Sequence, residues 1–546
     1  MTGLPTVLNG RRARFASLVA AAGIGQALCA GIAAFATRDV FAALAGSGPL
    51  PLAALCLLTL AGAGIALLRV VSRTLAERLG HDFAIEVRAT LYRHLAGMSR
   101  EVLAQRRAGA LGLRFVGDLT AARSWVASGL TRLLAAGIVL PGGALVLAAL
   151  NPTLAVAAAV PLLVTLVAMA AFSVGVRRLH RRLRARRARI AISMLERAAM
   201  APDLDVMGRT AQELSRLQRL GMTLRRSAVE RIRAVAGLRA VPDLGVAVAG
   251  AALLWAAHGA GATAADSAGA LAVLGILSAP LRELAGVWDR RCAWLSARRK
   301  LESFLATPSE LRRRARRPST DDLVLPLGGA SEAGAMLNLP ASCRVLLSGP
   351  PGAGHGSLVR AATGLNGPTR AARGVRPGTP PPATLLVAPD AAILRGSLRR
   401  ALTLGVAPRP DDATLRAAAA EFGLSHFAAG PDGLDLRLGE AGRPLNAGER
   451  LRVHLVRASL AVVDLVAIDA SETLLDELTR SALRTFVARS EARVLIAASD
   501  PSLVDLADRH LVVDGDGLAE ATATAWPQGD AREAWRDVSS GQPCGP

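Results

Sequence analysis

The chain has 546 residues, room for roughly two to four domains, and its 65 basic against 43 acidic residues leave a net charge of +22. Lys300 is the only lysine, so the charge is almost wholly arginine; it suits nucleic acid, anionic lipid or the inner-face loops of a membrane protein. Hydrophobic residues make up 51%, and Cys29, Cys56, Cys292, Cys343 and Cys544 stand apart without CxxC spacing, which argues against a disulfide framework or a zinc site.

Residues 15–37 run for 23 positions without a charge. At 1.5 Å per helical residue this covers about 34 Å, against a bilayer core of about 30 Å. Arg11, Arg12 and Arg14 precede it as they would a signal peptide, but the stretch is longer than a signal core and further spans follow. It is therefore predicted to be a retained transmembrane helix. A second span is predicted over residues 50–68. Residues 133–176 are uncharged over 44 positions and broken only by Asn151-Pro152, the mark of a helical hairpin. Fifth and sixth spans are predicted over 236–257 and 267–288.

The long loops orient these six spans. Residues 69–132 hold 11 Arg against 5 acids, and residues 177–239 hold 17 Arg against 5 acids. The connections on the other side carry only Arg38, Asp39 and Asp266. By the positive-inside bias the N-terminus, both long loops and everything after the sixth span are cytoplasmic. Nucleic-acid binding is not expected, because the arginines sit where topology needs them and lack interleaved aromatics. The loops are helical in pattern and are expected to prolong the spans into the cytoplasm. Arg282, Glu283 and Asp289 fall toward the end of the sixth span, at an interface where charges are cheap. Asp243, near the start of the fifth, has a cavity wall as its alternative setting. Trp288 and Trp294 read as interface anchors.

After the spans comes RKLESFLATPSELRRRARRPST, a helix running into an Arg- and Pro-bearing linker. Strand-like and helical segments then alternate to about Glu520, the pattern of an α/β domain. Within it stand, in order, GPPGAGHGS (349–357), LLVAPDAAILRGSLRRAL (385–402), PDGLDLRLGEAGRPLNAGERLRVHLVRASL (431–460), LVAIDASETLLD (465–476) and RVLIAASDPSLVDLADRHLVVDGDG (493–517). In order and spacing these segments resemble the ATP-binding cassette of an ABC transporter. Six spans followed by one cassette resembles an exporter-type half-transporter. The resemblance covers nearly the whole chain and implies six transmembrane helices, then a RecA-like α/β P-loop cassette with a helical subdomain.

The same resemblance implies a nucleotide site, and the residues depart from it at six places. In the phosphate loop Gly349, Gly352 and Gly354 match, followed by His355, Gly356, Ser357 and Leu358. The glycines permit a turn that aims backbone N–H groups at phosphates, with the helix dipole behind them. His355 replaces the family's lysine, and losing such a charge-assisted contact costs roughly 1.5–3 kcal/mol. It is expected to be a solvated loop residue. Pro389 replaces the glutamine that senses the γ-phosphate, and it offers neither an amide side chain nor an N–H. The signature positions read Leu445, Asn446, Ala447, Gly448 and Glu449, so the serine and the first glycine are gone. Glu449 is expected to repel a phosphate, whereas Asn446 and Gly448 are the remnant that could still meet one. Asp469 is retained as the candidate Mg²⁺ residue, and Asp476 of the following loop is kept. Ala470 stands in place of the catalytic glutamate, a loss typically worth a factor of 10²–10⁴. Glu472 lies two positions too far on to be a displaced base. Ser499 holds the place of the switch histidine, and no aromatic residue lies between Phe304 and the phosphate loop to stack on adenine.

The domains expected are an exporter-type transmembrane domain over residues 1–305, a linker over 306–322, a degenerate cassette over 323–520 and a poorly ordered tail over 521–546. Residues 99–109 and 200–210, at the loop tips, match the family's coupling helices. The resemblance implies ATP and Mg²⁺, bound weakly or not at all. It also implies a dimer in the membrane lipid of a bacterial-type inner membrane, preferably with a competent half-transporter, and an exported substrate that these spans do not reveal. With lysine, glutamine, signature serine, glutamate, histidine and adenine platform all missing, hydrolysis by the family mechanism is not expected. A non-transporting scaffold or regulator is the alternative reading, and an autonomous homodimeric exporter is a third.

Overall fold

A computed structural model describes residues 3–46, 49, 51–104, 112, 114–198, 200–309, 323–327, 335–350, 352–363, 383–470, 476–498, 501–514 and 517–520. The chain divides into two compact units. One comprises residues 1–96 and 106–309, and the other residues 97–105 and 310–546.

In the first unit six helices are long and apolar enough to cross a membrane: α1 (Arg11–Ala45), α2 (Leu52–Ala96), α4 (Phe115–Leu150), α5 (Pro152–Ala198), α7 (Thr210–Gly259) and α8 (Ala264–Leu305). Five of the six predicted spans fall inside them, and the second, 50–68, begins just before α2. A bilayer offers no water to spare backbone groups, so only a structure that satisfies them internally can cross it. The helices reach 35 to 50 residues, well beyond the roughly 20 that a bilayer core requires. The apolar hairpin breaks where Asn151-Pro152 predicts. Asn151 is extended, and its Oδ1 accepts from the N–H groups of Thr153 and Leu154 at 3.0 and 3.3 Å, so it caps α5. A short helix, α6 (Ala201–Val206), lies at the tip between α5 and α7 and buries none of its residues.

Charged side chains tie these helices together. Asp289 on α8 takes a hydrogen bond from Arg231 on α7 at 2.6 Å and lies 2.9 Å from His180 Nδ1 on α5. Asp243 pairs with Arg282 at 2.5 Å and both are more than half exposed. Trp288 donates its indole N–H to the Ser173 carbonyl at 2.7 Å, between the guanidiniums of Arg177 and Arg291. Trp294 departs from the anchor expected of it. It is 8% exposed and meets Phe83 edge-to-face at 5.9 Å, because it points across to α2.

The second unit holds the short helix α3 (Arg100–Ala104) and an α/β fold. Its described strands and helices run β1 (Leu323–Leu327), β2 (Ala335–Leu339), β3 (Arg344–Ser348), α9 (His355–Ala362), β4 (Thr384–Val387), β5 (Gly396–Ser397), α10 (Leu398–Thr403), α11 (Asp412–Glu421), α12 (Ser425–Ala428), β6 (Arg437–Leu438), α13 (Ala447–Leu460), β7 (Leu465–Asp469), α14 (Glu477–Arg489), β8 (Arg493–Ala497), β9 (Arg509–Asp514) and β10 (Gly517–Glu520). The main sheet has the order β10-β9-β3-β8-β7-β4, parallel except for the edge strand β10. Strands β7 and β8 are buried at every position. That explains their continuous apolar sequences, since a parallel sheet is covered on both faces. Alternate residues feed two cores. Leu346, Val466, Ile468, Val494 and Ile496 enter one, and Val345, Leu347, Leu465, Ala467, Leu495 and Ala497 the other. Asp469 is level with Ala497, and Ala497 with Leu347. The C-terminal ends of β3 and β7 therefore open on one edge of the sheet, with β8 between them.

Packing of α2 against α4 leaves no room at Gly80, where an added Cβ would stand 2.6 Å from Ala127 Cβ and 2.9 Å from the Arg123 carbonyl. Because one obstacle is backbone, Gly80→Leu is expected to cost about 1–3 kcal/mol. Thermal unfolding of the full chain in detergent checks this, with a midpoint a few degrees below wild type.

Candidate nucleotide and metal site

Strand β3 delivers the glycine-rich loop to that edge. Gly352 and Gly354 have φ of +88° and +90°, a conformation that side chains with a Cβ rarely adopt, and α9 starts directly after. Gly349 abuts the Val513 carbonyl, with which an added Cβ would collide. This is the turn a phosphate loop needs, although Pro351 lies outside the described residues. His355 opens α9 and is 4% exposed, so it is a buried residue and not the solvated one expected. Its side chain enters the unit in the first turn of a helix whose Leu358 and Val359 are also buried. Gly356 follows it half-buried, and the exposed Ser357 donates its hydroxyl to the Gly354 carbonyl at 2.7 Å.

At the end of β7 the Asp469 side chain is only 8% exposed. It accepts from Arg360 Nε at 2.5 Å. Arg360, in the second turn of α9, spends its two terminal nitrogens on Asp390, at 2.9 and 3.0 Å to the two carboxylate oxygens. Asp390 follows Pro389 and accepts also from Arg100 on α3 at 2.6 Å. The Asp390 hydrogen bonds, with those of Asp469, raise the Arg360 pKa further above its ordinary value despite partial burial. Burial works against the charge on Asp390, but Arg360 and Arg100 hold its pKa below the ordinary carboxylate value. A Mg²⁺ ion held through Asp469 would need the place that the Arg360 guanidinium fills. The residues present do not fit the metal. Ala470 is buried beside Asp469 with only a methyl group to offer, and Ser499 and Glu472 lie outside the described residues.

The signature remnant is turned to a structural use. Asn446 Oδ1 accepts from the Glu449 N–H, and Glu449 Oε2 accepts from the Asn446 N–H, both at 2.8 Å. This is a capping box closing the N-terminus of α13. The carboxylate expected to repel phosphate is directed back at its own helix, where the helix dipole favours it. Gly448 is required by contact, since an added Cβ would stand 2.7 Å from Thr479 Oγ1 and 3.1 Å from Asp476 Oδ2. Asp476 itself caps α14 by accepting from the Thr479 N–H at 2.6 Å, and Thr479, through its side chain first and this N–H second, lowers the Asp476 pKa. Leu445 is buried ahead of the box, and Ala447 is the first residue of the helix.

Sequence inspection missed two groups here. Arg360 falls outside every motif, and His454 is masked by the apolar run around it. His454 is fully buried on α13, and no hydrogen bond of good geometry reaches either ring nitrogen. Burial, then the charge of Arg457, pushes its pKa down to about 3, with the Ala391 backbone and Asp390 opposing more weakly. Arg457 remains cationic, lowered by burial to about 10, and donates to the Ala401 carbonyl at 2.6 and 3.1 Å.

Two expectations follow for the full chain. Asn446→Ala removes one side of the capping box and is expected to destabilise α13 by about 1 kcal/mol, read by faster amide exchange in its first turn. For His454 the unfolded state takes up a proton near the ordinary 6.5, whereas the folded state does so only near 3. Stability is therefore unaffected above pH 6.5 and falls as pH drops from 6.5 toward 3, by on the order of 2 kcal/mol at pH 5. Thermal midpoints of wild type and His454→Leu should diverge in that window, the variant losing less.

No protein-family model matches the chain. It is 26% identical over 345 residues to an ATP-dependent lipid A-core flippase of Chromobacterium violaceum, an alignment covering 58% of each protein. It is 28% identical over 145 residues to the flippase of the same name from Thiobacillus denitrificans, covering 26% of this chain and 25% of that one. An uncharacterized ABC transporter ATP-binding protein of Sinorhizobium fredii is 25% identical over 194 residues, 34% of this chain and 33% of that one. The chain thus spans less than two thirds of the length of each of these relatives. A bacterial Atm1-family ABC exporter solved with ATP bound shares the fold at a TM-score of 0.76, over 98% of this chain and 99% of that one, with 18% identity. Six spanning helices, the α/β unit after them, its ordered motifs and these likenesses agree: the chain is a multi-pass inner-membrane protein with the fold and domain order of an ABC exporter half-transporter.

Proposed function

We propose that this chain is the non-hydrolysing half of a heterodimeric exporter, working beside a half-transporter that supplies the catalysis. The observation that carries the reading is the Arg360 guanidinium on Asp469, next to a methyl group at Ala470 where a general base would stand. A homodimer would repeat both substitutions, and the self-capped signature, at each of its two sites. A heterodimer confines them to one partner.

The relatives named as flippases act on lipid A-core, which suggests an anionic amphipath as substrate. The membrane unit supports this with a cavity of about 250 Å³ lined by Arg69, Arg73 and Arg132 together with Glu77 and Glu283. Glu283 is shared by Arg73 and Arg132 at 3.6 Å each, which leaves basic charge in excess. Such a wall would hold a phosphate or carboxylate head group while the tail stays among apolar helices.

The test is ATP turnover in proteoliposomes. The chain alone is expected to show none above background, and its complex with a competent half-transporter is expected to hydrolyse ATP and gain lipid-stimulated turnover. Turnover by the chain alone that vanishes in Asp469→Asn would refute the reading and favour an autonomous homodimer. Failure to pair with any half-transporter would favour the scaffold.

A further inference from the structure

A carboxylate as buried as Asp469 needs a positive partner, because an unpaired charge out of water is costly. The resemblance to an ATP-binding cassette implies Mg²⁺ as that partner. Here the partner comes from the chain itself. Arg360 reaches Asp469 with Nε at 2.5 Å and clamps both oxygens of Asp390 with its two terminal nitrogens at 2.9 and 3.0 Å. All three guanidinium nitrogens are thus engaged by carboxylates, the bidentate geometry that suits arginine and that lysine cannot reproduce. Arg100 on α3 then reaches Asp390 at 2.6 Å and its backbone carbonyl at 3.4 Å. The four side chains carry two negative and two positive charges and balance without an added ion.

We infer that Arg360 is a tethered replacement for the divalent cation of this site, and that the same ion chain, Asp469–Arg360–Asp390–Arg100, fastens α3 to the α/β fold without metal or nucleotide. This goes beyond the non-hydrolysing reading, since a chain could lack catalysis and still bind Mg²⁺. It holds whichever partner the chain takes. Two consequences distinguish it from ordinary loss of a site. The wild-type chain has no use for a divalent cation at Asp469, and removing Arg360 takes a guanidinium away from Asp469 and Asp390 alike, leaving Arg100 on Asp390 and a vacated place that a cation can take.

The experiment uses the full chain in detergent without nucleotide, with Mn²⁺ as the probe and its free signal read by electron paramagnetic resonance. Wild type is expected to show no saturable site below millimolar Mn²⁺. Arg360→Ala is expected to bind Mn²⁺ at least about tenfold more tightly, and Arg360→Ala with Asp469→Asn to lose that gain. A wild-type site that Asp469→Asn abolishes would overturn the inference, as would no gain in a folded Arg360 variant. Arg360→Gln, closer in shape, stands in if the alanine variant does not fold. A second arm needs no change at position 360. Amide exchange across residues 100–104 should be indifferent to millimolar Mg²⁺ in wild type and should rise by about tenfold or more in Asp390→Asn. Mg²⁺-dependent protection of those amides in wild type would overturn the inference independently. Because neither arm measures transport or turnover, failure here is separable from failure of the proposed partnership.

Discussion

The α/β unit is organised around one constraint, the neutralisation of a carboxylate at the end of a fully buried strand. Strand β7 must be apolar because both its faces are covered, and Asp469 closes it with a charge at the rim of the sheet. The residue is kept while its usual ionic partner has no room. What resolves the conflict is a helix that begins at the glycine turn and places Arg360 one and a half turns later, over the end of β7. From there the guanidinium reaches sideways to Asp390, and the segment after β4 is drawn to the same point. Phosphate loop, metal strand and sensor loop are thus joined by ion pairs among protein groups alone.

At the signature remnant and the phosphate loop, too, side chains complete local requirements of the fold. Glu449 and Asn446 satisfy the first N–H groups of α13 between themselves. Gly448 persists because Thr479 and Asp476 come within contact of it, whatever the fate of a ligand. Ser357 donates its hydroxyl to the loop backbone.

In the membrane unit the arginines divide between topology and packing. Many lie on exposed faces of helix ends, but Arg231 and His180 converge on Asp289 and Arg38 meets Asp266 at 2.8 Å. Each pair joins different helices, which matters where apolar helices have no hydrophobic drive to associate with one another in lipid. Arg73 and Arg132 likewise meet Glu283 from two other helices, and with Arg69 they line a cavity.

By itself the sequence determined whatever depends on nearest neighbours and periodicity. Uncharged runs mark the six spans, Asn151-Pro152 marks the break between the third and fourth, and glycine spacing with continuous apolar strands marks the phosphate loop and its sheet. The missing lysine, glutamine and glutamate were equally legible, because motif positions are counted along the chain. Tertiary structure alone decided what replaced them. Arg360 and Asp469 are 109 residues apart, and Arg100 and Asp390 are 290 apart, so no local pattern announces either pair. Glu449 reads along the chain as a charge in a motif, and only the helix direction shows that it caps α13. Trp294 and His355 looked surface-bound by type and are buried by the elements that face them. Charge and side-chain type are properties of a residue, but whether a charge repels, caps or replaces an ion depends on what the fold sets within about 3 Å of it.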